Sequence, residues 1–417
     1  MKVGYARREI TPPVGIPLSG YGFFRDRRAV GVADPLYVRA VAIEDGEPAL
    51  IAAFDLLGLD SVLVGRLRKK VAHVAGLEKD RLMLACIHTH SGPNVIPLRG
   101  EPRRRGAYLD NLVEQAGAAA QEAREGAQKV RTVSRFRTRF GGFSWNRAFP
   151  DGGVSREVSG LVFKTYQQTV ALVNYPCHPV TLGINKEISA DYPGAFNAIM
   201  AEAGVSSLFL TGPCGDLDPV VNRDTWGRGT EEHTDRYAKM LSRAVLRGLS
   251  RAKPFRADRV STAIARFRAN YRMPERKQLR EALAQARSVK EDPDRKAHFE
   301  ICWAQENLEL LRSGRFARSA SLYLQAFRIG EAVVLALPGE VFFEFGEAVR
   351  AAFPELEILI ATNANSVVGY IPSDRDFEAA GYASGLACKF YRRFPFEPGI
   401  GAKLVNRSVE LVRSMQG

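Results

Sequence analysis

Cysteine is scarce in this chain. The 417 residues include five, at positions 86, 177, 214, 302 and 388, and no two form a CxxC pair. That spacing excludes a disulfide framework and a cysteine-type zinc site, and it fits a reducing compartment. Long hydrophobic runs are missing too: none approaches the ~18 residues a membrane helix needs. The opening MKVGYARREITPP has no apolar stretch of the kind a secretory leader carries. These absences lead to the expectation of a cytoplasmic protein without a transmembrane segment, and they leave room for peripheral contact with a membrane. No segment reads GxSxG, HExxH or the P-loop pattern, so three common hydrolytic and phosphate-binding devices are excluded. Histidine is also sparse, with six in all, and two stand one residue apart in RLMLACIHTHSGPN.

Positive charge is plentiful. Lys and Arg number 59 against 46 Asp and Glu, a net +13. The densest cluster is RGEPRRRG at 99–106, read as a solvated loop. No nucleic-acid motif accompanies the charge, so nucleic acid is not an expected partner. The apolar fraction of 46% suits a soluble globular chain with a large core.

No internal repeat or low-complexity linker is visible. LYVRAVAIEDGEPALIAAFDLLGLD reads as two strands around an Asp45-Gly46 turn. SVLVGRLRKKVAHVAGL has helical spacing and stops near Gly76. RLMLACI reads as a short buried strand, and YLDNLVEQAGAAAQEAREG as a helix ending at Gly126. EVSGLVFKT and TVALVNYPCHPVTLG read as strands. YPGAFNAIMAEAG reads as a helix with Pro193 near its start. SSLFLTG is a strand running into the loop PCGDLDP, and TDRYAKMLSRAVLRGL another helix. SASLYLQAFRIGEAVVLALPGE alternates like strands around Gly330, and LEILIATNAN reads as one more strand. This order predicts an α/β fold of mixed sheets with flanking helices. A single domain over 1–417 is expected, with a charged helical excursion at about 274–315, broken around Pro293.

The candidate chemistry lies at the ends of these apolar runs. In an extended chain residues i and i+2 share a face, so His88 and His90 can converge at a strand's end. Imidazole pairs suit zinc, yet one HxH is equally a structural feature. NYPCHPVTLG adds His178, EISADYPG adds Asp191, and GDLDP adds Asp216 and Asp218. Such carboxylates can bind metal, act as a base or cap turns. LPGE places Glu340 behind a Pro-Gly turn, where it is a ligand or a charge at a helix start.

Taken in order, the segments REITPPVG, LSGYG, FDLLGL, HTHSGPN, WNR, CHPVTLG, SADYPG, GDLDP, LPGE and GYIPSDRDFEAAGY resemble the neutral/alkaline non-lysosomal ceramidase family across most of the chain. The resemblance implies the family's catalytic-domain fold, without its C-terminal β-sandwich domain, and a zinc amidase activity on an N-acyl bond. It implies Zn2+ held by His88, His178, Glu340 and Tyr370. It implies that His90 hydrogen-bonds or transfers a proton beside the scissile carbonyl, and that Arg147 and Tyr382 stabilise the oxyanion. The family's serine, in a GDxSP segment, is Asp218 here, so a serine-dependent step does not carry over. A carboxylate at that position is a candidate general base.

The expected function is therefore a zinc-dependent amidohydrolase cleaving the C–N bond of a small-molecule or lipid-like amide through a zinc-activated water. The alternatives are ceramidase proper and a metal-dependent ester, lactone or phosphoester hydrolase, in which Asp191, Asp216 and Asp218 would recruit a second metal. A non-catalytic basic binding module is the third class.

Overall fold

The structure is a computed structural model that describes residues 1–23, 27–99, 106–257, 259–292 and 295–416. Most of the RGEPRRRG cluster and Pro293 lie outside the described residues.

Three sheets organise the chain. In the first, the strand order is Leu82–Cys86, Glu47–Phe54, Tyr37–Asp45, Lys2–Glu9 and Gln128–Lys129. The second runs Val205–Thr211, Thr169–Tyr175, Glu157–Lys164, Thr132–Arg139 and Lys253–Pro254. The third runs Val260–Asn270, Ser319–Ile329, Ala332–Ala336 and Glu357–Ala361. Each sheet contains one parallel pair, the other pairs being antiparallel: Glu47–Phe54 with Leu82–Cys86, Thr169–Tyr175 with Val205–Thr211, and Ala332–Ala336 with Glu357–Ala361.

The same unit thus occurs three times: an antiparallel hairpin, a crossover containing a helix, and a parallel strand. The crossover helices are Ser61–Ala75, Asp191–Glu202 and Phe343–Ala351. The sequence shows no repeat because the recurrence lies in topology, where any suitable apolar strand serves.

One core joins the three sheets. Ile51, Ala53 and Met83 from the first pack with Leu161, Leu172 and Leu208 from the second and Phe327, Val334 and Leu359 from the third. Helices cover the outer faces. Helix Gly106–Glu125 packs its Leu112, Ala116 and Ala120 beside Leu63 and Leu67 of Ser61–Ala75. Helix Ile400–Arg413 closes the third sheet through Leu404, Leu411 and Val412.

The parallel pairs position the candidate residues, because their carboxyl ends point to one region. The Thr211 hydroxyl donates to Ile87 O at 2.6 Å, and Thr362 N–H donates to Thr211 O at 2.9 Å. Asn365 N–H reaches Leu84 O at 2.7 Å. Strand ends from all three sheets are therefore tied together by hydrogen bonds between buried groups.

Two readings need correction. The strand carrying NYPCHPVTLG stops at Tyr175, so His178 stands in a loop. Pro176 and Pro179 lack the N–H a ladder needs. Conversely, GDLDP is not all loop: Leu217–Pro219 pairs with Ser144–Asn146, with Asp218 opposite Trp145. The charged segment forms helices Arg276–Ser288 and Lys296–Ser313, packed through Leu279, Trp303 and Ala304. Phe299 of the second helix meets Phe23 and Phe390, with ring centroids 5.3 and 4.6 Å away. No described helix is long and apolar enough to cross a membrane.

Candidate metal centre and its cavity

Loops after the parallel strands carry the candidate residues. His88 follows Leu82–Cys86 and adopts φ +73°, so it converges on the site through a left-handed turn and not through strand alternation. Its N–H donates to Leu56 O at 2.9 Å, and its Nδ1 lies 2.7 Å from Leu57 O. His178 is held the same way: its N–H donates to Leu217 O at 3.0 Å, and its Nδ1 is 3.1 Å from that oxygen. A carbonyl only accepts, so each Nδ1 carries the hydrogen and each Nε2 presents a lone pair inward.

Glu340 meets both lone pairs. Its Oε2 is 2.9 Å from His178 Nε2 and 3.2 Å from His88 Nε2. Its other oxygen accepts from the Tyr391 hydroxyl. The Pro-Gly before it is needed for shape: Gly339 sits at φ +81°, and a Cβ there would lie 2.2 Å from Gly369 O. The short pairing of Glu340–Val341 with Tyr370–Ile371 sets Tyr370 directly beside Glu340.

This set fits a metal. Two imidazole nitrogens and a carboxylate oxygen converge in a fully buried place, with the imidazole hydrogens committed elsewhere. A carboxylate oxygen 2.9 and 3.2 Å from two imidazole lone pairs is repelled by both unless a cation lies among them. Burial, with Arg147 next in weight, pushes the His178 pKa down and favours the neutral imidazole that a metal binds.

His90 is different. The ring nitrogens of His88, His90 and His178 can be chosen within 4.8 Å of one another, yet His90 Nδ1 accepts from Tyr21 N–H at 3.4 Å. Its hydrogen then sits on Nε2, a buried atom without a protein partner. Burial followed by the two neighbouring histidines holds its pKa well below 6.5. The LSGYG segment clamps the ring. A Cβ on Gly20 would lie 2.7 Å from its Nδ1, and Arg27 ties Ser19 O and His90 O together at 2.5 and 2.8 Å.

Arg147 follows the Ser144–Asn146 strand. Its Nη2 donates to Tyr370 Oη at 2.7 Å and Gly215 O at 2.9 Å, and its Nη1 lies 3.1 Å from Asp218 Oδ1. Tyr382 packs edge-on to Tyr370, ring centroids 5.7 Å apart. A cavity of about 1050 Å³ opens above, with His90, Arg147, Tyr370 and Tyr382 in its lining and Phe149, Trp226 and Phe390 in its walls. Lys296 and Glu300, from the charged helical segment, also line it.

Seven of the eight expected site residues thus line this cavity or form the cluster of His88, His178 and Glu340. Asp218, the candidate base, contributes no lining and has a side chain 0% exposed. Asp191 and Asp216 are occupied otherwise. Asp191 accepts from the backbone N–H groups of Thr181, Leu182 and Tyr192 at 2.8–3.1 Å and so fixes the loop after His178. Asp216 accepts from Phe343 N–H at 2.7 Å and Asn146 Nδ2 at 2.6 Å, and burial raises its carboxyl to about 6. Sequence reasoning missed Tyr391. CKFYRRF has no spacing signal, and only the turn after helix Ala387–Phe390 brings its ring to Glu340.

The sheet arrangement and the convergence of its loops are those of an α/β protein of neutral ceramidase-like fold. The neutral ceramidase from Pseudomonas aeruginosa aligns over 99% of this chain and 74% of its own, with TM-score 0.74 and 16% identity. A ceramidase solved in complex with C2 aligns over 100% and 75%, with TM-score 0.76 and 15% identity. No protein-family model and no curated protein sequence matches the chain.

Proposed function

We propose that the chain is a zinc-dependent amidohydrolase that cleaves the C–N bond of an N-acylated, lipid-like substrate. The observation that carries this reading is the pair of inward-facing Nε2 lone pairs of His88 and His178 on one Glu340 oxygen, directly beneath an aromatic-walled cavity. His88, His178, Glu340 and Tyr370 would hold the metal, and donors of this kind suit zinc. Zinc supplies Lewis acidity there, polarising a carbonyl and making water acidic enough to react near neutral pH.

The chain's own groups do the rest. The apolar walls bind the acyl part and exclude bulk water, which strengthens polar contacts at the cavity floor. Arg147 and Tyr382 face the carbonyl and stabilise negative charge developing on its oxygen. His90, with its hydrogen on Nε2, donates to the reacting amide or to the departing nitrogen. The amide class rests on the likeness to ceramidases together with this cavity. Asp191 and Asp216 already accept hydrogen bonds from backbone amides and neighbouring side chains, which gives no support to a two-metal phosphoesterase.

The test is metal analysis and turnover on a panel of N-acyl amides, esters and phosphoesters. One zinc per chain, amide turnover, and loss of both in His178→Ala are expected. A protein without stoichiometric metal, indifferent to His178→Ala, sinks the proposal.

A further inference from the structure

We infer that Asp218 is a positioning residue: it holds Arg147, and through Arg147 the Tyr370 hydroxyl, and takes no proton from water or substrate itself. The inference rests on the amidohydrolase reading of the site.

Two short paired strands carry the argument. Asp218 stands opposite Trp145, and Arg147 N–H closes the pairing on Asp216 O at 2.8 Å. Asn146 fixes the turn, its Oδ1 accepting from the N–H groups of Ala148 and Phe149 at 3.1 and 2.9 Å. The Arg147 side chain therefore leaves a rigid platform beside the Asp218 carboxylate.

The contacts then run in series. Asp218 Oδ1 is 3.1 Å from Arg147 Nη1, and Arg147 Nη2 is 2.7 Å from Tyr370 Oη. Tyr370 in turn stands beside Glu340, its register partner in the short parallel pairing of Glu340–Val341 with Tyr370–Ile371. A general base must reach the proton it removes. Asp218 lies on the far side of this series: Arg147 lines the cavity and Asp218 does not. Its nearer oxygen is also 3.7 Å from His178 Nδ1, but that nitrogen is directed at Leu217 O.

The carboxylate fits this task better than a hydroxyl would. A serine at 218 would offer one neutral hydrogen bond and leave the guanidinium's charge uncompensated on the cavity floor. Asp218 compensates that charge and fixes the fork by a charge-assisted bond. Arg147 then reaches Tyr370 in one orientation and offers the substrate carbonyl an aimed donor.

A double-mutant cycle on the full-length, zinc-loaded protein tests this. Asp218→Asn should lower kcat about 10- to 100-fold with little change in KM, because a misaimed guanidinium loses transition-state contacts. In an Arg147→Gln background the same substitution should change kcat less than about twofold, since residues acting as one unit are not additive. Equal factors in both backgrounds would show Asp218 acting directly and overturn the inference. An Asp218→Asn protein that melts lower yet keeps kcat would show a purely structural role and overturn it as well.

If no N-acyl amide is turned over, the amidase reading fails separately, and the cycle is read in melting temperature. Arg147→Gln strands a buried carboxylate and should melt several degrees lower, and adding Asp218→Asn should recover part of that loss. Additive shifts would overturn the coupling.

Discussion

At the residue scale, the direction in which each imidazole carries its hydrogen separates three histidines of the same type. His88 and His178 face carbonyls with Nδ1, while His90 faces an amide. Residue type and order were legible in HTHSGPN and CHPV; the tautomers were not, because they depend on Leu57, Leu217 and Tyr21, which are distant in sequence. Tyr391 is the clearest omission. Its hydroxyl fixes one Glu340 oxygen and leaves the other for the imidazoles. Partners of this kind are worth about 10- to 100-fold in metal affinity. Tyr391→Phe should therefore weaken zinc binding by about that factor in a chelator competition; wild-type affinity would remove the role. Gly20→Ala should displace His90, since its Cβ would lie 2.7 Å from the ring and the residue sits at φ +87°. Turnover should fall about tenfold or more, as misplacement of a group by ~1 Å can cost 100-fold. Zinc content, measured alongside, should not change, since His90 is not among the proposed ligands.

At the scale of elements, a buried ion pair supports His88, a proposed metal ligand, from behind. Arg39 Nη1 lies 2.7 Å from both oxygens of Asp55, and the two side chains are 3% and 0% exposed. Asp55 also accepts from Tyr37 N–H at 2.8 Å. This fixes the chain where strand Glu47–Phe54 ends, so the next two carbonyls, Leu56 O and Leu57 O, can hold His88. Removing one partner of such a pair leaves a buried charge and typically costs about 3–5 kcal/mol. Asp55→Asn should lose stability of that order in denaturant titrations, and weaker zinc binding should accompany it. A loss under about 1 kcal/mol would mean that water reaches Arg39. The hairpin and helix here were legible because Asp45-Gly46 and Gly76 punctuate clear periodicity. Strand Lys2–Glu9 was not, since only Val3 and Gly4 of its eight residues are buried. The end of the strand before His178 was misread because apolar residues continue past Tyr175, and the pairing of Leu217–Pro219 was missed because its partner, Ser144–Asn146, is distant in sequence.

At the scale of the whole molecule, three similar units share one core and aim their loops at one place. That recurrence is invisible in sequence because burial requires apolar residues without fixing which ones. Joins between the sheets carry polar groups, and one of them should give the fold a pH dependence. Asp34, just before strand Tyr37–Asp45, reaches the start of helix Asp191–Glu202. Its Oδ1 accepts from Ala190 N–H at 2.9 Å and its Oδ2 accepts from the Ser189 hydroxyl. Burial, the largest influence, raises its carboxyl to about 7, while these two hydrogen bonds pull the other way. The sign comes from proton counting. Below about pH 4 the group is protonated in both folded and unfolded chains. Between about pH 4 and 7 the unfolded chain releases the proton and the folded chain keeps it, so stability falls as pH rises, and above about 7 the difference is constant. Three pH units correspond to about 4 kcal/mol, and partial solvent contact reduces this to about 2–4 kcal/mol. Asp34→Asn removes the titrating group. The variant should gain stability over wild type by that amount at about pH 8, and the gain should shrink to nearly nothing at about pH 4. Denaturant midpoints measured across this range check it. A variant less stable than wild type at the alkaline end would show that the ionised carboxylate, not its neutral form, holds the two sheets together at this join.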